Sequence, residues 1–195
     1  ASAVPQADFL FMESTYGNRN HKGEQESLDE LAEAIAHSHA NGEKVVIPAF
    51  AVGRTQEILY SLHLLLRAGK LPKDMPVYLD SPLAIKATEI FRRYHAYLDG
   101  ETQDLLKNGE DPLRLPNLKM SISTADSIRI NETKEAAIVI SASGMCNAGR
   151  IRHHLRHNLG RSECAVVIAG FQAAGTFGRR LVDGARQVTL FGERV

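Results

Sequence analysis

The chain of 195 residues has no tryptophan and only two cysteines, Cys146 and Cys164. Two cysteines cannot build a disulfide framework, and their separation lacks the C-x-x-C spacing of a structural zinc site, so reduced thiols in a cytoplasm are expected. A net charge is also missing, because Lys+Arg and Asp+Glu number 23 each. That balance removes the global basic field of many nucleic-acid-binding proteins, and any polyanion site must be local. The chain lacks the run of about 18 apolar residues that a membrane helix needs. Its opening stretch, ASAVPQADFLFMES, has neither a basic n-region nor a clean cleavage pattern, so neither secretion nor membrane insertion is expected. What is present is globular: 44% hydrophobic and 24% charged residues exclude a disordered or fibrous chain. The length favours one compact domain with one core.

Short β-rich runs alternate with longer helical patterns, which is the α/β signature. Strands are predicted at 8–12, 44–47, 77–79, 119–122, 137–141, 164–169 and 187–191. Helices are predicted over 27–40, through Ile58 to Leu66, through Ile85 to Tyr94, over 149–158 and over 176–182. Ser27 and Glu30 have capping-box spacing, and Gly42 suits a helix end. Residues 99–117, broken by Gly100, Asn108-Gly109, Pro112 and Pro116, read as an irregular excursion with a short helix at 102–107. The expected architecture is therefore a mostly parallel, Rossmann-like sheet of about seven strands with helices on both faces.

Ligands of such sheets bind where strands end and helices begin. Four junctions carry small or hydroxyl-bearing residues: Glu13-Ser14-Thr15-Tyr16-Gly17, Ala51-Val52-Gly53-Arg54-Thr55, Asp80-Ser81-Pro82 and Ser141-Ala142-Ser143-Gly144-Met145. Their convergence would make one polar rim. The loop from Ser141 to Arg150 stands out, because small residues after a strand let backbone N–H groups approach an anion at a helix N-terminus. A phosphate loop and a plain tight turn compete there, since neither a P-loop nor a G-x-G-x-x-G pattern is matched.

Residues 150–161 hold four arginines, three histidines and no acid. A solvated helix face and an RNA backbone track both fit that composition. His153 and His157 have the i, i+4 spacing of paired metal ligands, but the surrounding arginines would repel a cation, and surface histidines are expected. His37-Ser38-His39 starts like a zinc motif and then continues without its aspartate and third histidine. Glu13 ends the apolar run Phe9-Leu10-Phe11-Met12, where packing alone explains an acid poorly. Asp80 poses the same question, with helix capping as a serious competitor.

Taken together, Glu13-Ser14-Thr15-Tyr16-Gly17, the stretch Ile47-Pro48-Ala49-Phe50-Ala51-Val52-Gly53-Arg54-Thr55-Gln56-Glu57, Leu79-Asp80-Ser81-Pro82, Ser143-Gly144-Met145 with Gly149-Arg150, and Gly170-Phe171-Gln172 resemble the β-CASP family of the metallo-β-lactamase superfamily. This family includes RNA-processing nucleases such as the cleavage-and-polyadenylation endonuclease. The resemblance implies a single β-CASP domain over residues 1–195, with short flanking pieces of a metallo-β-lactamase domain whose metal-binding half lies largely outside this stretch. It implies RNA as the partner, held in the groove between the two domains and hydrolysed at zinc ions of the full-length hydrolase.

Glu13 matches the family acid that orients a histidine thought to assist leaving-group protonation. Ser141, Ser143, Gly144, Met145 and Arg150 match elements that contact RNA phosphate, with Thr15, Tyr16, Arg54, Asp80, Ser81 and Gln172 on the rim. The His-x-His-x-Asp-His motif is missing, so these residues alone are expected to bind no zinc and to be inactive. A homodimer through segments outside this stretch is compatible with the resemblance. Two other readings stay open: a non-catalytic RNA-binding or partner-docking module, and a small-molecule α/β enzyme that binds phosphate.

Overall fold

The computed structural model describes residues 6–195. In chain order the main elements are α1 (Glu24–Ala40), β1 (Lys44–Pro48), α2 (Arg54–Arg67), β2 (Val77–Leu79), α3 (Pro82–Arg93), α4 (Gly100–Lys107), β3 (Leu118–Met120), α5 (Thr124–Glu132), β4 (Ala137–Ser141), α6 (Ile151–Asn158), β5 (Ala165–Val166), α7 (Phe177–Val182), β6 (Thr189–Leu190) and β7 (Glu193–Arg194). The first five strands form one parallel sheet of order β3-β2-β4-β1-β5. The α/β class, with a mostly parallel sheet and helices, is as the alternation of elements implied.

The sheet is buried on both sides, so β1 and β4 read as continuous apolar runs rather than alternating ones. Val45 and Ile47 point into the larger core with Leu59, Leu62 and Leu65 of α2 and Ile85 of α3. Val46 points the other way, into a smaller core with Ile151 and Leu155 of α6 and Leu190. This division follows from the handedness of parallel connections. The steps β1 to β2 and β2 to β3 run toward one edge and put α2 and α3 on one face. The steps β3 to β4 and β4 to β5 run back, and they put α6 on the other.

Five strands, rather than seven, make the main sheet. Residues 8–12 are not a strand: Phe9, Leu10, Phe11 and Met12 are all exposed. Apolar content makes a strand only where a neighbouring backbone accepts its hydrogen bonds, and none of the described strands pairs with this run. Residues 187–191 do not join the sheet either. They enter the antiparallel hairpin β6–β7, with Thr189 opposite Arg194 and Leu190 opposite Glu193. Its two turn residues, Phe191 and Gly192, have φ of 53° and 81°, the pattern of a type I′ hairpin turn.

Helix α1 begins at Glu24 after Gly23, so Ser27 lies inside the helix and its hydroxyl bonds back to the Gly23 carbonyl. A capping box does form at α5, between Ser123 and Asp126. It lies between β3 and β4, where the sequence pattern predicts no helix. Within 99–117 the short helix is α4, started by Asp99, whose carboxylate accepts the Thr102 amide.

Candidate nucleic-acid interface

All five parallel strands end on one edge of the sheet, and the loops that leave them decide what gathers there. The loop after β4 departs toward the face opposite to the one taken by the loops after its neighbours β1 and β2. Such a reversal opens the crevice in which doubly wound sheets place ligands. Here the crevice is closely filled. A Cβ on Gly144 would stand 2.8 Å from the Phe50 ring and 3.0 Å from the Phe50 amide nitrogen, so only glycine lets the β4 loop lie against the β1 loop.

Asp80 anchors this edge from below. It is fully buried at the end of β2, and its carboxylate accepts three hydrogen bonds: Arg150 Nη1 at 2.7 Å, Ser127 Oγ at 2.6 Å and His154 Nε2 at 2.6 Å. Its carbonyl accepts the Ser141 hydroxyl at 2.8 Å, and its amide donates to Ile140. One residue thereby ties β2, β4, α5 and the start of α6 together. Burial pushes the Asp80 pKa up, but donation by His154 and Ser127 outweighs it and brings the carboxyl down to about 2. Helix capping falls to the neighbour instead, since Ser81 Oγ accepts the Ala84 amide.

Asp80 also determines where Arg150 points. The Arg150 guanidinium turns inward, donating to Asp80 and to the carbonyls of Ser121 at 3.2 Å and Ile122 at 2.9 Å. The Ser143 hydroxyl donates to the Ala148 carbonyl. Ser141, Ser143 and Arg150 therefore hold the loop's own shape. Gly149 completes it, with φ of 83° and no room for a side chain, because a Cβ would stand 2.3 Å from the Ala142 carbonyl oxygen. Gly149→Ala is expected to lower unfolding free energy by about 1–3 kcal/mol through forced backbone strain. Denaturant titration checks this, and an unchanged midpoint would mean that the loop adapts freely.

The loop is further pinned by the segment after β5. Gln172 Nε2 donates to the Gly144 carbonyl at 2.9 Å, and the Gly178 amide donates to the Met145 carbonyl at 3.1 Å. Beside Gln172, the Phe171 ring meets Tyr16 edge-on at 6.1 Å. Tyr16 packs on the His21 ring at 3.8 Å, and the Arg19 guanidinium lies over Tyr16 at 5.2 Å and over Phe171 at 5.5 Å. This aromatic and cationic cluster brings the 13–21 stretch to the same edge. Glu13 is exposed there, and its Oε2 accepts the Thr15 amide at 2.9 Å, which with a further bond from the Thr15 side chain lowers its pKa. Thr15 is exposed as well. Arg54 pairs with Glu57 at 2.5 Å and its Nε stands 3.8 Å from where a Gly170 Cβ would be.

The structure thus brings Arg54, Asp80, Ser81, Ser141, Ser143, Gly144, Met145, Arg150 and Gln172 to one edge, with Tyr16 joined through Phe171. Sequence reasoning missed His154, which is buried with Nε2 on Asp80 and with Nδ1 2.8 Å from Asn131 Oδ1. A signal for it existed: His154 shares the spacing of Ile151, Leu155 and Asn158, the inward face of α6. Both cysteines are poor nucleophiles, as burial pushes Cys146 up to about 12 and Cys164 up to about 11.

Among the described residues no three His, Cys, Asp or Glu side chains converge as metal ligands. His154 is enclosed by the Asp80 network, and the exposed His153 ring stacks on Phe191 at 4.5 Å. The described residues do not fit a zinc site. No helix of the described residues is long and apolar enough to cross a membrane.

Comparison with known proteins finds relatives along nearly the whole chain. Ribonuclease TTHA0252 of Thermus thermophilus is 36% identical over 194 residues, covering 100% of this chain and 44% of that protein. An RNase J-like protein of Methanocaldococcus jannaschii is 34% identical, covering 98% of this chain and 44% of its own length. Transcription termination factor FttA of Thermococcus kodakarensis is 32% identical, covering 98% of this chain and 30% of its own. The chain therefore spans less than half the length of these relatives. The family model described as Beta-Casp domain matches residues 55–181, from the start of α2 to the end of α7. The chain belongs to the Beta-Casp domain family.

Proposed function

We propose that this chain is the RNA-holding part of a zinc-dependent RNA-processing nuclease of the cytoplasm, with phosphodiester hydrolysis carried out at metal ligands elsewhere in the full-length protein. The residues flanking the family match then lead into a metallo-β-lactamase domain. The observation that carries this reading is the convergence of the loops after the parallel strands on one edge, with the Glu13-to-Tyr16 stretch drawn to the same edge through Phe171. The names of the relatives, a ribonuclease, an RNase J-like protein and a transcription termination factor, support the same substrate class.

In this reading Gly144 and Met145 face RNA phosphate through their backbone, while Ser141, Ser143 and Arg150 keep the loop in the shape that allows it. Thr15, Tyr16, Arg54 and Gln172 form the rim, and Asp80 and Ser81 support it from beneath. Glu13, ionised and tied only to its own turn, is free to orient a side chain of the other domain.

The test is direct. The full-length protein is expected to contain zinc by elemental analysis and to cleave single-stranded RNA, with cleavage abolished by a chelator and restored by zinc. RNA binding without metal or cleavage would favour a holding module alone. Binding of free nucleotides in preference to RNA would sink the reading.

A further inference from the structure

The basic stretch 150–161 suggests a continuous anion track, but most of its charge is already used. Arg150 pairs with Asp80, Arg156 with Glu193 at 2.6 Å and Arg161 with Glu43 at 2.5 Å. Of its four arginines, only Arg152 makes no ion pair among the described residues. Arg152 lines a cleft between α6 and α7 together with Asn147, Gly175, Phe177 and Arg180. Arg180 is exposed and likewise has no ion pair among the described residues, whereas its neighbour Arg179 is held by Asp183. Two unneutralised guanidinium groups on one cleft repel each other and attract an anion.

Arg152 is also held in place. Its guanidinium lies 4.5 Å from the Phe191 ring centroid, and the same ring stacks on His153. Phe191 reaches this position from a left-handed backbone, φ 53°, at the tip of the β6–β7 hairpin. The two-residue type I′ turn sets that backbone conformation, so the hairpin itself fixes where the Phe191 ring stands. Contact with an aromatic face limits the rotamers of the long side chain, and a guanidinium already in place loses less entropy on binding. The cleft measures about 230 Å³, below the roughly 300–1,000 Å³ of small-molecule sites, and it opens to solvent. That suits a phosphate group of an extended chain rather than an enclosed metabolite.

We propose that Arg152 and Arg180 form a phosphate-binding subsite for single-stranded RNA, with the β6–β7 hairpin presenting Phe191 to hold Arg152 toward the cleft. The subsite adjoins the β4 loop through Asn147, whose side-chain oxygen accepts the Phe177 amide at 2.8 Å. RNA that leaves the strand-end edge past Met145 meets it next. The inference rests on the RNA-holding reading and adds specific residues to it. Planar guanidinium forks match phosphate oxygens in pairs, which favours arginine over lysine at such a point.

The experiment measures binding of a fluorescent single-stranded oligoribonucleotide to the full-length protein, with chelator present to prevent cleavage, over a range of salt concentrations. Each phosphate contact to a single strand contributes about 0.7 to the log–log salt slope, so R152Q/R180Q is expected to lower the slope by about 1.4. At 0.1 M salt that corresponds to about 25-fold weaker binding. Wild-type binding that the double variant leaves intact in affinity and slope overturns the subsite while the RNA reading stands. Wild-type protein with no salt-dependent RNA affinity overturns both. Arg180 is exposed and unpaired among the described residues, so R180Q alone decides should the double variant unfold: a slope lower by about 0.7 supports the subsite, and an unchanged slope overturns it.

Discussion

Replacement of Asp80 by alanine is expected to lower the unfolding free energy by about 3–5 kcal/mol, the scale found when one partner of a buried ionic network is removed. The carboxylate is fully buried, and its loss leaves Arg150, Ser127 and His154 without their acceptor. The same residue makes stability depend on acid. Its folded pKa of about 2 lies below the ordinary value of 3.8, so its contribution is fully present above that ordinary value. It is lost as pH falls through the folded value. The difference corresponds to about 2–3 kcal/mol, lost mostly between about pH 5 and pH 2. Denaturant titrations at several pH values check both statements. An Asp80→Asn variant with wild-type stability and an unchanged acid profile would show that the charge is not what holds the edge together.

Glu13→Gln in the full-length protein is expected to slow RNA cleavage by about 10²–10⁴-fold, the range of general acid–base contributions, while zinc content is retained. Glutamine keeps the shape and can still accept the Thr15 amide, but it removes the negative charge that would orient and polarise a histidine. Because the Thr15 bonds lower its pKa, Glu13 is a carboxylate at neutral pH, and the loss should not be recovered by raising pH. Single-turnover cleavage alongside elemental analysis separates the possibilities. Loss of zinc would make Glu13 a metal ligand, and an unchanged rate would remove it from the chemistry.

The class of fold was legible because α/β alternation is written in local periodicity. Continuous apolar runs at β1 and β4 and one-sided patterns at α2 and α3 allow few other arrangements. The number of sheet strands was not legible. Residues 8–12 and 187–191 have apolar content equal to that of true strands, but a strand also requires a partner backbone in register. Only the assembled sheet shows that the first run has none here and that the second turns back on itself at Phe191-Gly192.

The site divides in a similar way. Glycines at 144 and 149, the capping serine at 81 and the acid at the end of β2 are visible as residue types at strand ends, and their clustering follows from the parallel topology that the alternation implies. Which partners they choose is a matter of distances across the chain. Asp80 is separated by 70 residues from Arg150 and by 74 from His154. Helical spacing puts His154 on the inward face of α6, but no local pattern discloses that its partner is Asp80, that the Arg150 guanidinium points inward, or that His153 stacks on a surface ring. Residue order by itself determined the sheet class, the strand-end edge and the family. Only the tertiary structure decided which arginines are neutralised and which remain open to an anion, because charge pairing depends on proximity in space, and close packing sets that proximity between segments far apart in sequence.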